Sequence, residues 1–242
     1  MLLSEILFTQ GFGTRRLCAG LVQNGLVAVA GDVVTQSDAQ FEPEGLHFTV
    51  QGVDWRYAKK AYIVLNKPQG TEVSQKPTFH PSIYSLLPTP LRMRPSQSAV
   101  QGVQAVGRLD QDTTGLLILS DDGQFIHRAS SPKHHVPKVY EVTTKHPLNE
   151  SQVAQLLAGV VLDDSPVAVK ASACEIVNET HLKLTLTQGK YHQVKRMLAA
   201  VGNRVDALHR SQIGAYTLPS DLAPGQWLWL SADDLERTLR RS

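Results

Sequence analysis

Cysteine is scarce in this sequence, with only Cys18 and Cys174 among 242 residues. Two cysteines this far apart supply neither the disulfide framework of a small secreted domain nor the paired spacing of a zinc site. His134 and His135 are the next metal candidates, but adjacent side chains diverge in a helix or strand, and no carboxylate or cysteine lies at ligand spacing. We therefore expect no metal site and two cysteines that pack as small apolar groups in a reducing compartment.

Long apolar runs are also lacking, since none approaches the roughly 20 residues that span a bilayer. The first ten residues, MLLSEILFTQ, have no basic segment and carry Glu5 within the apolar run, which is unlike a signal peptide. Hydrophobic residues make up 42% and charged residues 19%, a composition that can form a substantial core. We expect a soluble cytoplasmic protein with no membrane partner.

The net charge is only +2, but it is unevenly distributed. Residues 1–54 contain two basic residues, Arg15 and Arg16, against six acidic ones, whereas residues 56–242 contain 22 basic and 16 acidic residues. A polyanion such as a nucleic acid would be attracted mainly to the larger segment.

The first 54 residues have the pattern of a small accessory domain. Apolar residues at helical spacing predict a helix over Leu3–Gln10, and Thr14 can cap a second helix. The residues expected to face inward from that second helix are Leu17, Leu21 and Val22. Short strands are expected at residues 26–30, 33–34 and 46–50. The polar and basic residues 54–60 are predicted to link this domain to a large domain of residues 61–242.

The large domain has many predicted strands, few helices and no alternation of strand with helix, which predicts an α+β fold with a mainly antiparallel sheet. Its first strand, residues 61–65, is followed by Pro68 and Gly70, so Lys67 should be presented at an edge of the sheet. Residues 76–98 contain five prolines and several basic residues. Residues 83–87 are expected to form one short helix or strand, and Arg92 and Arg94 add positive charge. The composition of the whole segment predicts a flexible basic flap that could become ordered on a nucleic acid.

The most distinctive stretch is residues 106–123, VGRLDQDTTGLLILSDDG, in which a charged loop is attached to an apolar strand. Strands are predicted at residues 104–109 and 116–119, and Asp110 lies where the first of them ends. Polar groups held on a loop by a rigid strand often bind or react. Asp112 could form a glycosidase-like carboxylate pair with Asp110, but the D-T-T-G sequence more simply folds the loop through side-chain to backbone hydrogen bonds.

Three later segments add candidates. A strand over residues 138–142 would place Lys138 and Tyr140 on one face, pointing into the same cavity. Asn149 is expected to cap a helix that buries Val153, Leu156 and Leu157. A helix over residues 192–200 should begin with free backbone N–H groups that suit a phosphate. The basic residues in and around this helix are Lys190, Lys195, Arg196 and Arg204. Its inward residues should be Val194, Leu198 and Val201.

The segment from Arg15 to Val34, RRLCAGLVQNGLVAVAGDVV, resembles the S4-like RNA-binding domain. That resemblance implies that Arg15 and Arg16 contact RNA. Two features differ from the usual pattern: the first helix opens with L-L-S-E instead of a basic residue, and the segment is acidic overall. Packing on the main domain or contact with a protein therefore remains an alternative role for it.

Four separated motifs resemble those of the pseudouridine synthases, and the whole set places the chain closest to the RsuA branch, which acts on ribosomal RNA. They are Lys67-Pro68, G-R-L-D at 107–110 with the loop that follows, Lys138-x-Tyr140, and GKYHQVKRM at 189–197. The resemblance implies an isomerase that flips a uridine out of the RNA. It would break the bond from uracil N1 to the ribose and rejoin the base through C5, and it would need no cofactor.

The resemblance also implies residue roles. Asp110 would be the catalytic carboxylate, acting either as nucleophile or as base. Tyr140 would stack on the uracil and assist proton transfer, and Lys195 would pair with Asp110 and keep it ionised. Arg108 would help to open the RNA. The remaining RNA contacts would come from Lys67, Lys138, Lys190 and Arg196. Lys190 stands where arginine is usual, which keeps the charge but loses bidentate phosphate binding.

We expect a monomer that modifies small-subunit ribosomal RNA, either free or in an assembly intermediate. Three alternatives stay open at this point. The first is a large-subunit enzyme of the same branch, the second a non-catalytic protein that binds ribosomal RNA or assists ribosome assembly, and the third a nucleoside or glycoside hydrolase.

Overall fold

The protein is described here by a computed structural model that covers residues 1–96, 100–163 and 165–240. Residues 97 and 98 of the predicted flap lie outside the described residues. The chain forms two compact units. The smaller comprises Met1–Tyr62, Leu87–Gln104 and Leu119–Gly123, and the larger Ile63–Leu86, Ala105–Ile118 and Gln124–Ser242. Within the described part of the chain, no helix is long and apolar enough to cross a membrane.

The smaller unit combines three helices with a four-stranded antiparallel sheet of order β2-β1-β3-β4. The helices are α1 (Leu3–Gln10), α2 (Arg15–Gln23) and α3 (Thr89–Met93). The strands are β1 (Val27–Val29), β2 (Asp32–Val33), β3 (His47–Val50) and β4 (Val53–Arg56). Strand β4 corrects the sequence analysis, because the first residues of the predicted linker pair with β3 through a tight turn at Gln51 and Gly52, both at positive φ.

Helices α1 and α2 begin and end where the sequence indicates. Thr14 caps α2 by accepting a hydrogen bond from the backbone N–H of Leu17, at 3.2 Å. The predicted inward face of α2 is partly wrong, because the side chain of Leu17 is 53% exposed and the buried residues are Cys18 and Val22. These two residues are four positions apart and so share one helical face, which Leu17 flanks.

The short helix or strand expected at residues 83–87 is confirmed, whereas the predicted flexible flap is wrong for residues 88–94. A 3-10 helix covers Ile83–Leu86, and α3 begins at Thr89 with Pro90 in its first turn. Proline is tolerated in the first turn of a helix, where its missing N–H would have no partner in any case. Arg94, predicted as one of the flap's free cations, is only 2% exposed and is bonded within the smaller unit.

The large sheet has nine strands in the order β11-β12-β8-β13-β7-β5-β15, with β14 beside β13 and β6 beside β7. All of its described pairings are antiparallel except that of β7 with β13, and β9 and β10 form a separate pair. The predicted α+β class with a mainly antiparallel sheet is therefore confirmed. The strands are β5 (Tyr62–Lys67), β6 (Gln104–Ala105), β7 (Thr113–Ser120), β8 (Lys138–Thr144), β9 (Val160–Leu162), β10 (Ser165–Val169), β11 (Ala173–Asn178), β12 (His181–Leu186), β13 (Val205–Ile213), β14 (Tyr216–Thr217) and β15 (Trp227–Trp229).

The remaining helices are α4 (Gly123–Ser130), α5 (Glu150–Ala158), α6 (Gln193–Ala200) and α7 (Ala232–Leu239). Asn149 caps α5 as predicted and forms a capping box with Gln152. Leu157 was expected to face the core but is 40% exposed. In α6, Val194 and Leu198 are buried as expected, and Met197 joins them.

Candidate active site

A buried lysine holds the loop that carries Asp110. The ammonium of Lys67 donates hydrogen bonds to the carbonyls of Pro68, Gln111 and Thr113, at 3.1, 3.3 and 2.9 Å. Because Lys67 is fully buried at the end of β5, its predicted presentation at the sheet edge is wrong, and its ammonium holds the loop. Burial lowers the pKa of Lys67 to about 8, against the opposing charges of Asp112 and Asp110.

Strand β7 places this loop next to Tyr140 through close backbone contact. Gly115 is opposite Arg210 of β13, and Arg210 is in turn opposite Tyr140 of β8. A Cβ on Gly115, whose φ is +101°, would lie 2.4 Å from the carbonyl oxygen of Arg210. The buried Arg210 guanidinium also donates to the carbonyl of Leu116, at 2.8 Å. Only glycine at this position allows the three strands to approach so closely.

Lys195 lies between two carboxylates of the loop. Its ammonium is 3.2 Å from Oδ2 of Asp110 and 2.7 and 2.9 Å from the two carboxylate oxygens of Asp112. The predicted pairing of Lys195 with Asp110 is therefore present in the geometry. Partial burial would lower the pKa of Lys195, but the hydrogen bonds to Asp112 and Asp110 outweigh it and leave the pKa raised.

The predicted role of Asp112 is wrong. We expected its side chain to fold the loop through bonds to the backbone, yet the carboxylate accepts both of its short hydrogen bonds from Lys195. The backbone of the loop is held by other groups, among them the N–H of Gly70, which donates to the carbonyl of Gln111 at 2.8 Å. A lysine 83 residues away outcompetes local backbone donors because the charge-assisted bond is the stronger one.

His192 is a neighbour of Asp110 that the sequence analysis did not select. Its Nε2 lies 3.4 Å from Oδ1 of Asp110. His192 adopts a left-handed conformation, with φ at 48°, so that α6 starts one residue later than predicted. The side chain of Gln193 accepts a bond from the backbone N–H of Lys190 at 2.8 Å and closes this turn. The motif Y-H-Q contains this histidine, but the sequence does not indicate that it contacts Asp110; the folded structure does.

Asp110 opens onto a small cavity of about 80 Å³, which we call the inner cavity. Tyr140, which is 8% exposed, forms one wall, and Lys195 contributes a charged edge. Thr113 also lines it, and the hydroxyl of this buried residue has no hydrogen-bond partner within the described part of the chain. The apolar lining residues are Leu109, Leu186, Val194 and Leu208. The inner cavity therefore combines a flat aromatic wall with a carboxylate and a cation, which suits a planar polar base.

Of the other basic residues predicted to contact RNA, some line the inner cavity and others do not. Arg108 is exposed and lines the inner cavity, as does Lys190. Lys138 alternates with Tyr140 as predicted but does not line the cavity; its ammonium donates to the carbonyl of Val136 at 3.1 Å. Burial, together with the charge of Arg210, lowers the pKa of Lys138 to about 8.

The three remaining predicted cations are Arg196 in the larger unit and Arg15 and Arg16 in the smaller unit. Arg196 donates to the carbonyl of Tyr191 at 3.2 Å. Arg15 and Arg16 are exposed in the smaller unit, and the Arg15 guanidinium lies 4.4 Å from the centre of the Phe8 ring. Among the described residues, no group of three or more histidine, cysteine or acidic side chains could hold a metal ion.

The fold is that of a class of RNA-modifying isomerases, the pseudouridylate synthases. This chain is similar to a crystal structure of a pseudouridylate synthase, with a TM-score of 0.68 and 33% sequence identity. The alignment covers 98% of this chain and 99% of the other chain. Residues 61–200 match the family model described as RNA pseudouridylate synthase. The chain belongs to the RNA pseudouridylate synthase family, as its motifs predicted.

The chain is similar along its length to two bacterial enzymes named ribosomal small subunit pseudouridine synthase A. The one from Yersinia pestis is 37% identical over 236 residues, which is 97% of each protein. The one from Escherichia coli (strain K12) is 37% identical over 228 residues, covering 93% of this chain and 95% of the relative. The similarity therefore includes the N-terminal residues that precede the family match.

Proposed function

We propose that the protein converts one uridine of small-subunit ribosomal RNA to pseudouridine and that Asp110 is its catalytic carboxylate. The observation that carries the proposal is the position of Asp110, between the Lys195 ammonium at 3.2 Å and the inner cavity that Tyr140 lines. Full-length similarity to small-subunit synthases supports the choice of RNA. Ribosomal RNA as substrate makes the cytoplasm the proposed location.

The reaction is a rearrangement within one nucleotide. The bond between uracil N1 and C1′ breaks, the base turns, and C5 bonds to C1′; C5 loses a proton and N1 gains one, so that atoms and electrons balance without a donor or an oxidant. Positive character develops on the ribose as the first bond breaks. The Asp110 carboxylate, only 28% exposed, can stabilise that charge, bond to the sugar or take a proton from it.

The other residues have supporting roles in this proposal. Lys195 places a positive charge 3.2 Å from Asp110 and holds the carboxylate in position. Tyr140 provides a flat surface for the uracil and a hydroxyl near it. Because a base stacked in a helix cannot reach the inner cavity, the uridine must be flipped out. Arg108, exposed at the edge of the inner cavity, can then contact the opened RNA strand.

The function is tested by mapping pseudouridines on both ribosomal RNAs from cells with and without the gene. We expect one small-subunit pseudouridine to disappear in the deletion strain and to return with the wild-type gene. Loss of a large-subunit pseudouridine would favour the alternative substrate within the same branch. An unchanged pattern would overturn the proposal and point to a binding or assembly protein. Release of free uracil from RNA by the purified protein would indicate a hydrolase.

A further inference from the structure

A second, larger cavity of about 550 Å³ adjoins Asp110, and we call it the outer cavity. Three segments of the larger unit line it: residues 72–78, residues 107–111 and residues 189–192. Asp110 lines both cavities, so they meet at the carboxylate. The volume lies within the range of about 300–1,000 Å³ that is usual for small-molecule sites, and the chemistry proposed above occupies only the inner cavity.

One wall of the outer cavity is an exposed aromatic ring held in a fixed orientation. Tyr191 is 71% exposed, and one face of its ring stacks on His192, with centroids 3.8 Å apart and planes at 19°. His192 is held by its contact with Asp110 at 3.4 Å, and the carbonyl of Tyr191 accepts a hydrogen bond from Arg196. Since His192 covers one face of the ring, the other face is available to a planar ligand.

Another part of the lining is a loop held by hydrogen bonds, although its sequence suggests a flexible one. The carboxylate of Glu72 accepts hydrogen bonds from the backbone N–H groups of Thr78, Phe79 and His80, each at 2.9 Å. These bonds lower the pKa of Glu72. Three backbone donors hold the Glu72 carboxylate within its own loop, and it remains one of the two carboxylates that line the outer cavity.

The charges that line the outer cavity favour a phosphate-bearing ligand. Lys76, Arg108 and Lys190 are the three cations, against the bonded Glu72 and the Asp110 carboxylate. An aromatic platform together with lysine and arginine side chains is the combination that binds single-stranded nucleic acid, because every base has a face that can stack. A nucleotide that enters the inner cavity brings its covalently linked neighbour to this place.

We propose that the outer cavity binds a nucleotide next to the target uridine, with its base stacked on Tyr191 and its phosphate near Lys190 and Arg108. This inference rests on the proposed function, since it requires a uridine of an RNA strand at Asp110. The site selects for an accessible neighbouring base and tolerates different bases, because stacking depends little on base identity. It would hold the strand while the uridine is out of its stack.

The test compares Tyr191→Ala with Tyr191→Phe, which keeps the ring. The substrate is a small-subunit RNA fragment containing the modified uridine, either intact or with a single abasic site at one neighbouring position. On intact RNA, Y191A should raise KM about 5- to 150-fold, the range that corresponds to one stacked base, and Y191F should stay within about twofold of wild type. The kcat of both variants should change little, because Tyr191 does not line the inner cavity.

The abasic RNAs identify which neighbour is bound. For the wild-type protein, an abasic site at one position should raise KM as much as the Y191A substitution does on intact RNA. The KM of Y191A should be nearly the same on that abasic RNA as on intact RNA. Additive losses at every position, or a Y191A variant that behaves as wild type, would overturn the outer-cavity proposal. Thermal unfolding should be unchanged in Y191A, because the side chain is mostly exposed. A wild-type protein that makes no pseudouridine would instead overturn the proposed function.

Discussion

The buried guanidinium of Arg94 gives the sharpest stability prediction. Its Nε donates to Oδ2 of Asp121 at 2.6 Å, its Nη1 to Oε1 of Gln10 at 2.9 Å, and its Nη2 to the carbonyl of Ala58 at 2.7 Å. Arg94 is 2% exposed and the Asp121 side chain is 10% exposed. Replacing Arg94 with methionine keeps most of the stem but removes the positive charge beside the buried Asp121 carboxylate and one hydrogen-bond donor each from Asp121, Gln10 and Ala58.

Removing one partner of a buried ion pair typically costs about 3–5 kcal/mol, because the other charge stays buried and uncompensated. For a protein of this size, about 2–4 °C of melting temperature is lost per kcal/mol, so Arg94→Met should lower Tm by roughly 6–20 °C. Arg94→Lys should fall between methionine and wild type, since lysine keeps the charge but not the fork of donors.

The assay is urea unfolding together with a thermal melt, and Arg92→Met is the matched control. Arg92 is exposed two residues away and its side chain makes an exposed hydrogen bond to Thr89, at 3.1 Å, so its loss should cost less than about 0.5 kcal/mol. If Arg94→Met were no more destabilising than Arg92→Met, the assignment of Arg94 to a buried hydrogen-bond network would be refuted.

Two further predictions concern the loop that carries Asp110. Burial lowers the pKa of Lys67 from 10.5 to about 8, so keeping Lys67 protonated in the folded state costs free energy at pH values below 8. Raising the pH from about 8 to 10.5 should remove this cost and increase the free energy of unfolding. Across that pH range, the urea midpoint of the wild type should rise relative to that of Lys67→Met, and equal pH profiles would contradict the burial of Lys67. Wild-type activity should fall over the same range, because the deprotonated amine loses hydrogen bonds to the three carbonyls that position the loop. Gly115→Ala should cost about 2–6 kcal/mol in unfolding measurements, from backbone strain plus the clash with Arg210. Gly202→Ala, at positive φ in open space, should show the strain alone, and equal losses in the two variants would argue against the close contact.

Local features of the fold were predictable because they depend on neighbouring residues. The caps at Thr14 and Asn149 follow from short polar side chains placed before helical apolar spacing, and the structure contains both. The face of an amphipathic helix is less certain, as Leu17 and Leu157 show. Each lies beside a buried residue at the edge of the apolar stripe, where the sequence alone does not decide exposure.

Polar residues were misjudged where their partners are distant in the sequence. Arg94 meets Gln10 across 84 positions, and Lys195 meets Asp112 across 83. Lys67 lies beside a proline and a glycine, which indicate a loop, yet three backbone carbonyls brought together by the fold enclose its ammonium. Sequence patterns identify a charged residue but not the buried acceptors that would keep it from solvent.

The candidate site was predictable as a set of motifs and not as a geometry. The resemblance selected Asp110, Tyr140 and Lys195, which the fold brings to one cavity. It did not select His192, because the contact with Asp110 depends on a left-handed residue ahead of α6. Nor did it indicate that Lys195 is shared between two carboxylates, which requires the folded loop.

The central claim is that the Asp110 carboxylate performs the isomerisation, and the purified Asp110→Asn variant tests it most directly. Asparagine has nearly the same shape but carries no charge, so it can neither attack nor take a proton. Pseudouridine formation in small-subunit ribosomal RNA should fall below detection, while RNA affinity and Tm stay close to those of wild type. An Asp110→Asn variant that makes pseudouridine at the wild-type rate would contradict the account.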